Sequence, residues 1–353
     1  MKEFGSEYHL SYMKDDYFEN ISKRYRYSIY LQTGREALLL AAKTIRGKKV
    51  LLMPAYCCWS MEAPFIQEGF EIIYYKLNED LTVNIKYITQ LLKKYHPTIV
   101  LTMNYFGFTS TADVIMHIKQ YDANISIIED FSHCLFDFDS IYNPQVDYYI
   151  ASIRKSIGVP DGALYLSNKY ADNIEIKSSN DEYTSIRISG GQLKTLYRYK
   201  ISEKEQFYSC FSKAATMLKN ETHINIHRMS DDSLHIINHT YVDACRFARN
   251  YNYKHLYEKL SKNKALMLPF SPHNQHTSPF TLPIIVENRD VVQAILAQYS
   301  VYAPVLWPIN SVASKVCNIS SYFAEKMLAI PIDQRYDYYD IEEIGDRINN
   351  YIR

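Results

Sequence analysis

Lys155 stands in "SIRKSIGVPDGALYL", between an arginine and a run of apolar and glycine-containing residues. That setting suits neither a solvated surface charge nor a core strand. A lysine amine condenses with an aldehyde to form a Schiff base. Asp130 closes "ISIIED", 25 residues before Lys155 (155 − 130), and its carboxylate is suited to hold a proton on a ring nitrogen. Thr33, Gly34 and Arg35 directly precede a helical pattern, and a helix start presents free N–H groups and a positive dipole end to a phosphate. Ser152, three residues before Lys155, adds a hydroxyl to the same phosphate. His133 is placed to meet a ring hydroxyl or ring face, and in "PAYCCW" either Tyr56 or Trp59, flanking Cys58, can cover an aromatic ring. Aldehyde, pyridine nitrogen and phosphate together describe pyridoxal 5′-phosphate (PLP), whose ring acts as an electron sink when a carboxylate faces its nitrogen. Singly, each residue has an ordinary reading: Asp130 a helix N-cap, Lys155 a surface lysine, His133 a satisfied structural histidine. Their order and spacing carry the argument.

These residues need elements that bring them together. From about residue 33 the pattern alternates: helix in "GREALLLAAKTI", strand in "KKVLLMPAY", helix in "WSMEAPFIQEGF", strand in "EIIYYKL", helix in "IKYITQLLKKYH", strand in "TIVLTMNYF", helix in "TADVIMHIKQYD", then strands "ISIIED" and "VDYYIAS". Such alternation predicts an α/β fold with a largely parallel sheet between helices, whose site lies beyond the carboxyl ends of the strands. Those ends are Pro54 to Trp59, Asn104 to Phe108, Asp130 to His133 and Ser152 to Lys155. Residues 176–225 read as mainly helical and polar, and one long helix is expected through "DDSLHIINHTYVDACRFARNYNYKHLYEKLSK". The patterns divide the chain into a large domain, 1–225, and a small C-terminal α+β domain, 226–353, that ends in the helix "IEEIGDRINNYI".

Composition narrows the class. The 353 residues are 47% hydrophobic and 22% charged, which is a globular balance. Lys plus Arg and Asp plus Glu both total 39, so no excess charge exists to hold a nucleic acid by counterion release. No apolar run marks a secretory signal or a membrane span, and the chain is expected to be cytoplasmic. Six scattered cysteines (57, 58, 134, 210, 245, 317) are expected to be reduced thiols, and no metal site is expected. No GxGxxG follows a strand pattern, which sets a nucleotide-dependent dehydrogenase aside.

The blocks "TGREAL … PAYCCWSMEAPFIQEG … NYFGF … IIEDFSHCL … IASIRKSIGVPDGALYLS … LAIPIDQRY" resemble the DegT/DnrJ/StrS family of PLP-dependent sugar aminotransferases, of the aspartate-aminotransferase fold (fold type I). The resemblance implies a mostly parallel seven-stranded sheet sandwiched by helices, a small C-terminal domain and a homodimer. It implies phosphate contacts from Gly34, Arg35 and Ser152, Asp130 at the ring nitrogen, His133 beside the ring and a cofactor-bound Lys155. It further implies amino transfer from an amino acid, L-glutamate expected, to a keto sugar, expected to be nucleotide-linked, in surface-glycan or deoxyaminosugar biosynthesis. Tyr105 and Trp307 are expected to line the acceptor site, with Arg228 a further candidate there and Arg335 a candidate for the donor carboxylate. The chain departs from the family pattern in Arg35, which follows the first glycine, and in Cys58, which falls on the usual ring-stacking aromatic; Phe131 and Ser132 replace smaller or apolar residues, and no partner-reaching asparagine segment is evident near 185–200. The competing readings are a dehydratase-like PLP reaction on a sugar, in whose branch a histidine replaces the lysine, and a non-catalytic PLP-fold binding or regulatory protein.

Overall fold

The structure is a computed structural model that describes residues 13–169, 174–272 and 278–352; most of the N-terminal segment "MKEFGSEYHLSYMKDD" lies outside them. Among the described residues ten strands form: β1 Tyr27–Leu31, β2 Val50–Pro54, β3 Glu71–Tyr75, β4 Ile99–Met103, β5 Ser126–Asp130, β6 Tyr148–Ser152, β7 Ala163–Ser167, β8 Leu266–Met267, β9 Leu282–Val286 and β10 Met327–Ile330. The first seven make one sheet in the order β1-β7-β6-β5-β4-β2-β3. From β6 to β3 all neighbours are parallel, while β7 runs against both β6 and β1. Every residue of β2, β4, β5, β6 and β7 is buried. Helices cover both faces of a central parallel sheet, so its strands must be apolar throughout rather than alternate.

One consequence of this topology positions the site. β2, β4, β5 and β6 end at the same sheet edge, and because β1 and β6 both oppose β7, the end of β1 arrives there too: Leu31 and Ser152 each pair with Ala163. Thr33-Gly34, Pro54 to Trp59, Asn104 to Phe108, Asp130 to His133 and Ser152 to Lys155 therefore open on one edge. The alternation identified β2 to β6, and β1 was not among the patterned elements.

Two helices, Asp181–Arg198 and Lys204–Asn220, fill the expected helical region as a hairpin. Gly190 makes their close approach possible, since a Cβ there would lie 2.9 Å from Phe211. The long helix expected across 231–262 is instead two, Asp231–Asn238 and Val242–Leu260. Asp15 makes the break: its N–H donates to Asn238 O at 3.0 Å and its carboxylate accepts from Val242 N at 2.9 Å. A cap contributed from 227 positions away leaves no mark on helical periodicity.

The second sheet, β10-β9-β8, is antiparallel. One face of it forms a second apolar cluster with Leu256 and Leu260 on one helix and Ile341 and Ile348 on the helix Tyr338–Tyr351, while Ile285, Met327 and Ala329 pack in the larger cluster. Ile226, Met229, Ile237, Val242 and Cys245 pack in the larger cluster, so we propose that the small domain begins within the helix Val242–Leu260 rather than at 226.

Candidate active site

Lys155 ends a single 3-10 turn, Ile153–Lys155, directly after β6, and its side chain is exposed. The loop that carries it is pinned along its length. Ile153 N donates to Gly162 O at 3.0 Å, and Gly162 N donates to Gln32 O at 2.8 Å. Gly162 has φ +142°, and a Cβ on it would lie 2.9 Å from Met229. Asp161 is fully buried and makes no ion pair among the described residues; its carboxylate accepts from Ser230 N at 3.0 Å, Ser230 Oγ at 2.6 Å and Ser233 Oγ at 2.5 Å. Hydrogen bonds from several donors let a buried carboxylate stand without an ion pair. An exposed lysine side chain thus leaves a backbone fixed by hydrogen bonds.

Asp130 is buried at the last position of β5, the strand beside β6 in the sheet. Its Oδ1 accepts from Ser132 N at 2.8 Å, and Ser132 Oγ accepts from Ser152 N at 2.8 Å. Ser132, which departs from the family pattern, therefore ties the carboxylate strand to the lysine strand. No residue among those described donates to Asp130 Oδ2, which leaves an acceptor for a ring N–H.

Gly34 opens the helix Gly34–Thr44 with Thr33 as N-cap, its side chain accepting from Glu36 N. A Cβ on Gly34 would stand 3.4 Å from Ser152 Cβ, so the first free amides of the helix and the Ser152 hydroxyl border one space that a side chain would narrow. The Arg35 guanidinium is not there. It donates to Leu218 O at 2.7 Å and pairs with Glu221, so at the helix start Arg35 offers its backbone N–H to a phosphate.

His133 is buried, and its Nδ1 accepts from Phe106 N at 3.2 Å. Burial, and then the charge of Lys155, hold its imidazole well below the ordinary range, so it is neutral. Its ring stacks on Phe280 at 4.2 Å and on Trp307 at 5.4 Å. Trp307 therefore supports His133 in an aromatic stack.

Two aromatic expectations change here. Tyr56 and Tyr105 are fully buried and stack on each other at 5.7 Å; the Tyr56 hydroxyl bonds to Leu306 O and the Tyr105 hydroxyl to Tyr56 O. With faces and hydroxyls both occupied, neither has a surface for cofactor or substrate, and both belong to the core. Trp59, at 55% exposure, stays open beyond β2, beside half-buried Cys58, whose Sγ lies 3.0 Å from Ser60 Oγ. Arg228 is exposed.

A cavity of about 490 Å³ opens at Lys155, walled by Phe280 and by residues of the C-terminal part including Arg249 and Arg335. Arg249 was not singled out from the sequence. It is 2% exposed; its guanidinium donates to Gln334 Oε1 at 3.0 Å, Phe280 O at 3.1 Å, Pro279 O at 3.3 Å and Ser156 O at 3.4 Å. Gln334 Nε2 also donates to Ser156 O at 2.8 Å. The peptide just after Lys155 is thus held by two side chains from remote elements. The signal open to sequence reading was an arginine on the apolar side of a helix. Among the described residues, no cluster of three or more metal-ligating side chains occurs.

No protein-family model and no curated protein matches the sequence. Solved structures do. A DegT DnrJ EryC1 StrS aminotransferase from Brucella abortus superposes with a TM-score of 0.65 at 15% identity, over 96% of this chain and 89% of that one. PseC of Helicobacter pylori, an aminotransferase involved in pseudoaminic acid biosynthesis, gives 0.67 at 10% identity over 95% and 90%. The putative sugar aminotransferase Spr1654 of Streptococcus pneumoniae, in its PLP form, gives 0.66 at 11% identity over 97% and 93%. Over nearly its whole length, this chain has the fold of these aminotransferases.

Proposed function

We propose that this protein is a PLP-dependent aminotransferase that moves an amino group from L-glutamate to a keto sugar, the sugar being nucleotide-linked. The observation that carries the reading is the meeting of Lys155, Asp130 and the Gly34–Ser152 cradle at one sheet edge, with the lysine open to a cavity. The residues present fit PLP: an amine for its aldehyde, a carboxylate oxygen without a described donor for its nitrogen, and helix amides with a hydroxyl for its phosphate. When bound, PLP supplies an electron sink and a carrier for the amino group.

This chain's own residues do the rest. Asp130 keeps a proton on the ring nitrogen. With the cofactor bound, the Lys155 amine would hold and move a proton as general base and then acid. His133, neutral and clamped between aromatic rings, presents a fixed imidazole without adding charge. Over both halves, amino acid plus keto sugar become 2-oxo acid plus amino sugar, so no external oxidant is required. Among the described residues no helix is long and apolar enough to cross a membrane, and we place the reaction in the cytoplasm, carried out by a homodimer in the synthesis of surface glycans or deoxyaminosugars.

The test is the absorbance of the purified protein with PLP, before and after L-glutamate. A visible band that glutamate bleaches, with stoichiometric 2-oxoglutarate, is the expected result; no visible band, or one indifferent to every amino acid, overturns the reading.

A further inference from the structure

The loop at 104–108 borders two recesses. Through Phe106 it holds His133: Phe106 N donates to His133 Nδ1 at 3.2 Å, and the two rings lie 5.3 Å apart. Asn104, Gly107 and Phe108 of the same loop line a different pocket of about 310 Å³, which shares no lining residue with the cavity at Lys155. Its other walls are the start of the helix Ala112–Tyr121 and residues between 134 and 143.

Asn104 is the telling residue. It is 4% exposed, and its Oδ1 is buried with no hydrogen-bond partner. A buried amide oxygen left unpaired is costly, and folded interiors seldom keep one without an outside partner. The helix start beside it is uncapped as well. The side chain of its N-cap, Thr111, donates to Glu129 at 3.0 Å instead of accepting from the first turn; Ser110 Oγ accepts from Ala112 N at 3.3 Å, and the amides that follow have no side-chain cap. Thr109 Oγ accepts from Tyr105 N at 2.7 Å and has no acceptor for its own proton among the described residues. No lysine, arginine or histidine lines the pocket. One carboxylate does: Asp137, whose Oδ2 accepts from Ser278 N and Oγ, each at 2.6 Å, and whose Oδ1 lies 3.7 Å from Arg246 Nε. Phe108, Ile115 and Tyr142 add apolar surface.

These groups choose between ligand classes. An anion finds no cation here and meets the charge of Asp137. An apolar ligand leaves the Asn104 oxygen unpaired. A hydroxyl gives one proton and accepts others, so neighbouring hydroxyls on one ring serve both the buried amide oxygen and the open amides of the helix start. The C–H faces of such a ring suit the apolar wall, and the volume lies at the small end of ligand pockets, enough for one ring and too little for a nucleotide. We infer that this pocket binds a single neutral sugar ring, with Asn104 accepting from one hydroxyl and the helix start donating to another. The site is separate from the cofactor cavity and does not depend on the aminotransferase reading.

The experiment titrates D-glucose, D-galactose, D-mannose and N-acetyl-D-glucosamine into the full chain in the presence of PLP, followed by saturation-transfer NMR and by the shift in Tm. Saturable binding of at least one of them in the millimolar range is expected, as suits a ligand of one ring, and inorganic phosphate should not displace it. Asn104→Ala removes the unpaired oxygen, and Ala112→Phe places bulk at an exposed position of the pocket wall. Each is expected to weaken that sugar by about fivefold or more. Lys155→Ala, which alters the other cavity, is expected to leave the affinity within about twofold of wild type. Melting curves establish folding; if Asn104→Ala does not fold, Ala112→Phe decides. Failure of all four sugars to bind, displacement by phosphate, or wild-type affinity in the folded pocket variants overturns the inference, as does a loss seen in Lys155→Ala instead. A wild type that shows no PLP band but binds the sugar through Asn104 removes the aminotransferase reading and leaves this site standing.

Discussion

The Ser132 hydroxyl accepts the amide N–H of Ser152 at 2.8 Å, across 20 positions of chain. That bond joins the strand end that offers a carboxylate to the strand end that leads to the lysine, and Ser132 N completes the tie by donating to Asp130. Ser132→Ala strands a buried N–H, and the cost expected is about 1–3 kcal/mol of stability. Because Asp130 and Lys155 lose their common reference, PLP affinity is expected to fall with it. Denaturant midpoints and PLP titration check both; a variant with wild-type values for each refutes the role given to Ser132.

Lys155→Ala is expected to abolish the visible PLP band and amino transfer. The side chain is exposed, so stability should change by less than about 0.5 kcal/mol. A variant that still transfers amino groups at the wild-type rate would disprove the assignment.

Asp130→Asn keeps the size and the Oδ1 contact to Ser132 N but removes the charge that holds a proton on the ring. Retained PLP binding and a fall in kcat on the order of 100-fold are expected, corresponding to ~2.7 kcal/mol in the barrier. Single-turnover measurement with glutamate separates this from weaker cofactor binding.

Glu129, beside Asp130 and fully buried, carries a prediction about pH. Burial pushes its carboxyl up from the ordinary 4.5 to about 8, against the lowering effect of the Thr102 and Thr111 hydroxyls. Between pH 4.5 and about 8 the unfolded chain has released this proton and the folded protein has kept it, so stability falls as pH rises through that window. Glu129→Gln carries no such proton. The stability of wild type relative to Glu129→Gln is therefore expected to fall from pH 5 to 8, by at most ~1.4 kcal/mol per unit. A gap that stays constant across that range would show Glu129 ionised in the folded state.

Gly162 tests the rigidity of the lysine loop. At φ +142°, with Met229 2.9 Å from where a Cβ would stand, Gly162→Ala is expected to cost about 1–3 kcal/mol and to weaken PLP binding. Thermal melting with and without PLP reads both effects, and an unchanged PLP affinity would separate this glycine from the site.

What the sequence by itself determined is the part written in local pattern. Alternating apolar runs specified β2 to β6, and the residues that end strands β5 and β6, Asp130 and Ser152, followed from where those runs stop. Thr33 and Gly34 were legible for the same reason, since a cap and a first helical residue act over one turn. Tertiary structure alone decided what depends on distant chain. Tyr56 looks like a ring cover and Tyr105 like an acceptor-site residue until they are seen stacked on each other. The helix expected through 231–262 breaks because Asp15 caps it. The charge state of the cavity follows no spacing rule: Arg335 and Arg249 are both arginines near its wall, and only the folded chain shows that one is neutralised by Asp333 while the other meets neutral oxygens from residues 156, 279, 280 and 334. Hydrophobic periodicity records which face of an element is buried. It does not record which partner compensates a charge once buried, because that is settled by elements far apart in the chain.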